Sequence, residues 1–441
     1  MENKNRRTFL KNTAGAAATV GLLIKTSNVF SANEKIRHAV VGLNGRGNDH
    51  IRGFAGLKNV EVVALCDVDE KVLNKRYEEH KERLSPDCRK YVDYREMLEN
   101  KDIDTVSIAT PNHWHSIQGI WACQAGKDVY VEKPLSHNIR EGRKFVEAAR
   151  KYNRIVQQGS QIRSSKAIQE AIQGLHEGLI GEVYYAKGTC YKWRPSIGDP
   201  KNVGKVPESF NYDLWTGPAP EEPYKELANG HHYDWHWQWN YGNGDIGNQG
   251  IHQMDVARWG LGEEWPDAIA GMGGHFMFDD AQETHNTMVA TMKYKDSNKM
   301  LVFEVRHWIT NQELGGKPGG NVVGNLFLGS KGIMIMPSYT SYEVYFDKDL
   351  KPGPKGNEGG NHWANFIEAV VKRDQSILTA DVLEGHISSG LCHLANAAAI
   401  VEDTIHFDAK TESVTNNEEA NAIIQGTARG YRSPFELPES V

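Results

Sequence analysis

Between residues 36 and 158 the sequence alternates short β-rich runs with helical segments. The strand-like runs are RHAVVGL, VEVVALCDV, DTVSIATP, KDVYVEKP and RIVQQGS. Between them lie GNDHIRGFAGL, DEKVLNKRYEEHKERL with Asp67 or Asp69 as its cap, YREMLEN, HWHSIQGIWACQAG closed by Gly126, and NIREGRKFVEAARKYN. Strands separated by helices pair parallel, because each crossover must return to the same end of the sheet. Both faces of such a sheet are covered, and the expected fold is α/β with a doubly wound parallel sheet.

Beyond residue 163 the pattern changes. A helix, SSKAIQEAIQGLHEGL, leads into an alternating strand, EVYYAKGTCYKW. After a stretch rich in Pro, Trp, His and Gly come the runs DAIAGMGGHF, THNTMVATMKY, KMLVFEVRHWI, NLFLGSKGIMIM and YEVYFD. These predict a second, α+β domain built on one large, mostly antiparallel open sheet. KPGPKGNEGGN reads as a loop, and HWANFIEAVVKRD and DVLEGHISSGLCHLANAAAIVED read as helices. The chain divides into an amino-terminal segment, 1–32, a dinucleotide domain, 33–160, and a substrate domain, 161–441.

Segment 1–32 carries paired arginines, Arg6 and Arg7, then Phe9 and Leu10, then the mildly apolar NTAGAAATVGLLI. That run is too short and too mild to span a membrane, and the order matches a twin-arginine export signal cut near Ser31 or Ala32, with a periplasmic destination. The net charge of −7 argues against nucleic acid and anionic membrane as partners, both of which need a basic surface. Five cysteines without a C-x-x-C pair are expected as buried free thiols.

In GLNGRG, residues 42–47, Gly42, Gly45 and Gly47 fall between a predicted strand and a predicted helix, the setting of a phosphate-binding turn. Asn44 stands where the dinucleotide fingerprint has its middle glycine, a place its tolerance of left-handed backbone suits. Asp67 ends the next strand about 20 residues on, where a carboxylate binds the adenosine ribose. Val68 follows it, with no adjacent cation for a 2′-phosphate, which favours NAD over NADP. The strand ends ATPNHWH and VEKP share the carboxyl edge of the sheet, where ligands bind.

GLNGRG, TPNHWH and above all EKP resemble the glucose–fructose oxidoreductase / inositol dehydrogenase / rhizopine catabolism (Gfo/Idh/MocA) family. YDLWTGPAP and GNGDIGNQGIHQMDVARWGL resemble the substrate-domain signature of its exported branch, so the likeness spans most of the chain. It implies that Lys133 lies beside the nicotinamide and the reacting hydroxyl. It implies too that Arg46, Thr110, Pro111, Asn112, His115 and Glu132 border the cofactor, while His113 begins its helix facing solvent. His252 takes the place of the family's acid/base. The aspartate four residues before that histidine is Asn248 here, a departure, and Asp245 and Asp255 are the carboxylates near enough to compensate. Arg163 falls near the family's substrate entrance. An open sheet in the second domain implies a homo-oligomer.

The run HHYDWHWQWNYGNGD, residues 231–245, has two further readings. Its His231, His232, Asp234 and His236 are interleaved with tryptophans rather than set at ligand spacing, so a metal is not expected. A carbohydrate platform, with His236 and Trp239 against the sugar, competes with a packed aromatic loop. His386 and His393, seven apart on the last helix, are expected in the core. Three functions stay open: an NAD-dependent oxidoreductase of a sugar or glycoside, an NAD-dependent glycoside hydrolase without net redox change, and a sugar-binding module that keeps the nucleotide fold as scaffold.

Overall fold

The computed structural model describes residues 35–308 and 321–441, so segment 1–32, expected as an export signal, lies outside the described residues. The first sheet has strands β1 (Ile36–Val41), β2 (Val60–Cys66), β3 (Arg89–Tyr91), β4 (Thr105–Ile108), β5 (Asp128–Val131) and β6 (Val156–Gln158). They pair parallel in the order 3-2-1-4-5-6, the doubly wound arrangement the alternation requires. β3 is only three residues long and carries too little apolar pattern to be read from sequence. Asp69, not Asp67, caps the following helix, accepting from Lys71 N at 2.9 Å.

One face of this sheet is closed by the helices Asn112–Gln124 and Ile139–Lys151. The other is closed by Arg46–Ala55 and by a helix that returns from late in the chain, His362–Lys372. Phe366, Ile367 and Val370 of that returning helix are buried against Ile36, Val40 and Phe54. At roughly 1.5–3 kcal/mol for each fully buried large apolar side chain, this contact fastens the two halves of the chain together.

The second sheet comprises β7 (Val183–Lys192), β8 (Ala268–Gly274), β9 (Thr287–Tyr294), β10 (Lys299–His307), β11 (Val322–Gly329), β12 (Gly332–Met336), β13 (Ser341–Phe346), β14 (Lys351–Asn357), β15 (Thr404–Asp408) and β16 (Ser413–Val414). Its order is 14-13-12-11-7-10-9-8-15-16, antiparallel except for β7 beside β10. The run NLFLGSKGIMIM is a hairpin rather than one strand, turning at Ser330 and Lys331. KPGPKGN, expected as loop, is the edge strand β14 on β13. Proline and glycine are tolerated there because one side of an edge strand needs no ladder bonds. The helices Lys166–His176, Ile251–Leu261 and Val382–Ile400 pack on one face. Tyr184, Met272, Val289, Met300 and Ile335 are exposed on the sheet. All five cysteines are free and buried.

Candidate active site

The glycine turn has the shape a pyrophosphate needs. Gly42 sits at φ +77°, and a Cβ there would meet the Ala109 carbonyl carbon at 2.7 Å. A Cβ on Gly47 would lie 1.8 Å from the Gly42 oxygen, so strand and helix approach too closely for any side chain. Gly45 is the opposite case, with nothing within 4 Å of its Cβ direction, because that side is open groove. The helix Arg46–Ala55 has no side-chain cap, which leaves its first N–H groups for an anion. Asn44 is not among the positive-φ residues, so tolerance of left-handed backbone is not what admits it. Its carbonyl is held instead by Arg76 Nη2 at 2.6 Å, while Arg76 Nε holds Leu43 O at 3.1 Å.

Asp67 is buried at the end of β2 and accepts from Leu43 N at 2.7 Å and Asp69 N at 3.0 Å. Burial raises its pKa above the ordinary carboxylate value, against the pull of those two donors. The groove runs from Asp67 past Thr110, Pro111, Asn112 and His115 to Glu132 and Lys133. Thr110 Oγ1 donates to Gln118 at 2.8 Å, and Asn112 Nδ2 donates to Asn243 at 2.9 Å. His115 sets its ring between Pro134 O at 2.6 Å and Thr110 O at 2.7 Å, tying the ends of β4 and β5 together. His113 is wholly buried, not solvent-facing, and its ring nitrogens stand at the carbonyls of Trp215 and Tyr241.

At the end of β5, Glu132 is a buried hub that accepts from Arg46 Nε and His50 Nε2, each at 3.0 Å. Burial disfavours its charge, but Arg46 and then His50 outweigh that and hold it well below the usual range. Lys133 Nζ crosses to the second half of the chain, donating to Asn248 O at 2.6 Å and Asn248 Oδ1 at 3.3 Å. Burial lowers the Lys133 pKa, Arg46 and Arg194 add to the effect, and Glu132 and Asp245 oppose it.

Asn248 lies in a π-helical turn, Ile246–Gly250, directly before the helix Ile251–Leu261. Its amide Nδ2 donates to Asp245 Oδ1 at 3.2 Å, which turns Oδ1 toward the lysine. Asp245 is itself fully enclosed, gripped by Arg194 through two bonds of 3.0 Å and by His307 Nε2 at 3.1 Å. Burial opposes its charge, but Arg194 and His307 hold it far below the usual carboxylate range. Asp245, three residues before Asn248, thus acts through the amide on Lys133, while the carboxylates felt by His252 are Glu132 and Asp255. His252 opens the regular helix, with Nδ1 buried and without a partner among the described residues. Burial, then the Lys133 charge, push its pKa down to about 3.

Models of an NAD-binding Rossmann oxidoreductase family and of its carboxy-terminal α/β domain match residues 36–160 and 164–435. The chain belongs to the Gfo/Idh/MocA oxidoreductase family. Proteins of known structure share the fold at low identity. The aldose–aldose oxidoreductase of Caulobacter crescentus superposes with a TM-score of 0.64 at 19% identity, over 85% of this chain and 100% of the other. The WlbA dehydrogenase of Bordetella pertussis, solved with NADH and UDP-GlcNAcA, gives 0.62 at 18%, over 85% and 99%. In sequence the chain is similar to the α-N-acetylgalactosaminidase of Shewanella oneidensis, 28% identical over 214 residues. That alignment takes in 42% of this chain and 46% of the enzyme, so the chain spans about half the length of the curated relatives it matches.

The expected sugar-binding set is split. His236 and Asn248 line the groove. Asp245, Asp255, Arg163 and Trp239 do not: each is engaged with protein behind or beside the wall. Arg163 and Asp255 form a buried pair, Nε to Oδ2 at 2.8 Å, joined by Ser388, Glu384 and Arg258. Asp255→Ala leaves two buried guanidinium groups short of a partner, and a loss of about 3–5 kcal/mol is expected, read from the urea unfolding midpoint. In the aromatic run Trp237 is buried away from the groove, as the packed-loop reading has it, whereas Trp235, packed with Phe210, Trp215 and Tyr241, also lines the groove. His231 bonds Lys225 O, His232 bonds Asp69 and Asp234 takes Asn229, three separate errands. His386 and His393 are core, on Glu412 and Ser136. Arg194, His307, Asn243 and Arg76 had no motif to mark them, since each earns its place through a partner distant in sequence.

Proposed function

We propose that the protein oxidises or reduces one carbinol carbon of a sugar or glycoside, with NAD held in the groove through turnover. The observation that carries this is the Lys133 ammonium at the end of β5, fixed by Asn248 from the other half of the chain. Gly42, Gly45, Gly47, Asp67 and Lys133 fit the dinucleotide: an open phosphate turn, a ribose carboxylate and a cation at the far end. Bound NAD supplies the hydride acceptor. Lys133, with its lowered pKa, takes the hydroxyl proton as the carbon gives up its hydride, and Asn248 keeps the ammonium tip in place. His252, neutral across the physiological range and outside the groove lining, adds no cation beside Lys133.

A second reading, the hydrolase without net redox change, is favoured by the likeness to the Shewanella enzyme. Export by the twin-arginine route, which carries folded proteins, suits either reading, because a cofactor folded into the protein travels with it. Native mass spectrometry of the purified protein tests the proposal, followed by incubation with sugars and aryl glycosides. Co-purified NAD and a keto-sugar formed with NADH support the oxidoreductase. Glycoside cleavage without net NADH moves the assignment to the hydrolase, and protein that neither carries nor binds NAD ends both. Sedimentation of the same preparation tests a homo-oligomer closed over the exposed sheet residues Met272 and Val289, with a monomer counting against it. Fractionation of cells bearing Arg6→Lys and Arg7→Lys tests export, and protein still reaching the periplasm rejects the signal.

A further inference from the structure

The adenosine end of the groove is walled by residues of the second half of the chain. His232 bonds Asp69 just beyond β2, and Phe210 bridges to Asp69 through backbone. From still further along, Phe435 lines the groove while only 2% exposed. It packs edge-on against Trp114, ring centroids 5.3 Å apart, and lies 5.3 Å beneath the Arg95 guanidinium. Arg95 also lines the groove, and Asp93 fixes its orientation through bonds of 2.6 and 3.1 Å. Both arginine and ring stand by the elements that follow β3 and β4, away from Lys133. In a sheet of order 3-2-1-4-5-6 the adenosine lies toward β2 and β3, and the nicotinamide beyond β4.

Resting on the dinucleotide reading above, we infer that segment 425–441 completes the adenine subsite, with the Arg95–Phe435 stack as the platform for the purine. The Phe435 ring is buried between Trp114 and the guanidinium groups of Arg95 and Arg432, each 5.3 Å from its centroid, so it backs the half-exposed Arg95, whose flat guanidinium offers the π surface to a purine without reading its hydrogen-bond edge. Leu437 anchors the same segment in the nucleotide-domain core without lining the groove. Retention of the cofactor is thereby coupled to docking of the two halves of the chain.

Protein stripped of nucleotide on charcoal is titrated calorimetrically with NAD and with nicotinamide mononucleotide, which lacks the adenosine. Phe435→Leu, which keeps apolar volume but removes the ring, is expected to weaken NAD roughly tenfold to hundredfold and leave the mononucleotide unchanged. Arg95→Met is expected to do the same, and Leu437→Ala to affect the two ligands alike. Unaltered NAD affinity in Phe435→Leu overturns the subsite, as does equal weakening of both ligands, which would place the effect in folding. Wild-type protein that binds neither nucleotide overturns the dinucleotide reading itself, a result distinct from a failure of the subsite alone.

Discussion

Lys133→Met is expected to lower sugar oxidation by about 10²–10⁴-fold while NAD still binds. The lysine reaches the far end of the groove from β5, and both oxygens that hold it, Asn248 O and Oδ1, are neutral. Neutral oxygens stabilise the ammonium less than a carboxylate would, so burial still lowers the pKa. The sign of the pH dependence follows. Oxidation needs the unprotonated amine, so the rate rises with pH and levels off above a Lys133 pKa lying below its ordinary 10.5. Around that amine stand Glu132, Arg46, Asp245, Arg194, His236 and His252, whose imidazoles burial pushes down to about 3. Neither imidazole contributes a limb near neutrality. Asn248→Asp is expected to move the rising limb to higher pH, because a carboxylate at that place favours the ammonium. Rate profiles of the three proteins from pH 5 to 10 check this. A limb that survives in Lys133→Met removes the lysine from the role of base.

Gly47→Ala is expected to abolish measurable dinucleotide binding, and Gly45→Ala to weaken it with the fold intact. The distinction rests on where each missing Cβ points. At Gly47 it would strike the Gly42 oxygen at 1.8 Å, so the turn itself must move. Backbone strain of this kind costs about 1–3 kcal/mol, roughly 5- to 150-fold in affinity even if the turn survives, and displacing the turn from the phosphates removes the rest. At Gly45 the Cβ meets only open groove, and its cost falls on the ligand. Calorimetric titration with NAD, beside circular dichroism and urea unfolding, separates the two cases. Equal affinity in wild type and Gly47→Ala would mean that the turn holds no phosphate.

How much of this could be read in advance depended on how local each signal was. The first sheet was legible because strand, turn and helix recur at short spacing and each element carries its own pattern. β14 was not, because KPGPKGN is strand only by virtue of the neighbour it pairs with. The ends of β1, β2, β4 and β5 share one edge by topology, so Gly42, Asp67, Thr110 and Lys133 were legible as a single site. The aromatic run was ambiguous for the converse reason. Composition shows that Trp235 and Trp237 are there, but whether a ring faces ligand or core depends on what packs over it.

The sequence by itself determined the doubly wound domain and brought the glycine turn, Asp67 and Lys133 to one edge of its sheet, since those follow from periodicity and from residues close together in the chain. Only the tertiary structure decided what surrounds them. Asn248 holds Lys133 across 115 positions, Asp245 is neutralised by Arg194 and His307, and Phe435 lines a groove that both halves of the chain wall. Such pairings reflect how two independently patterned halves dock, and docking is set by buried area and complementary charge that no stretch of either half contains alone.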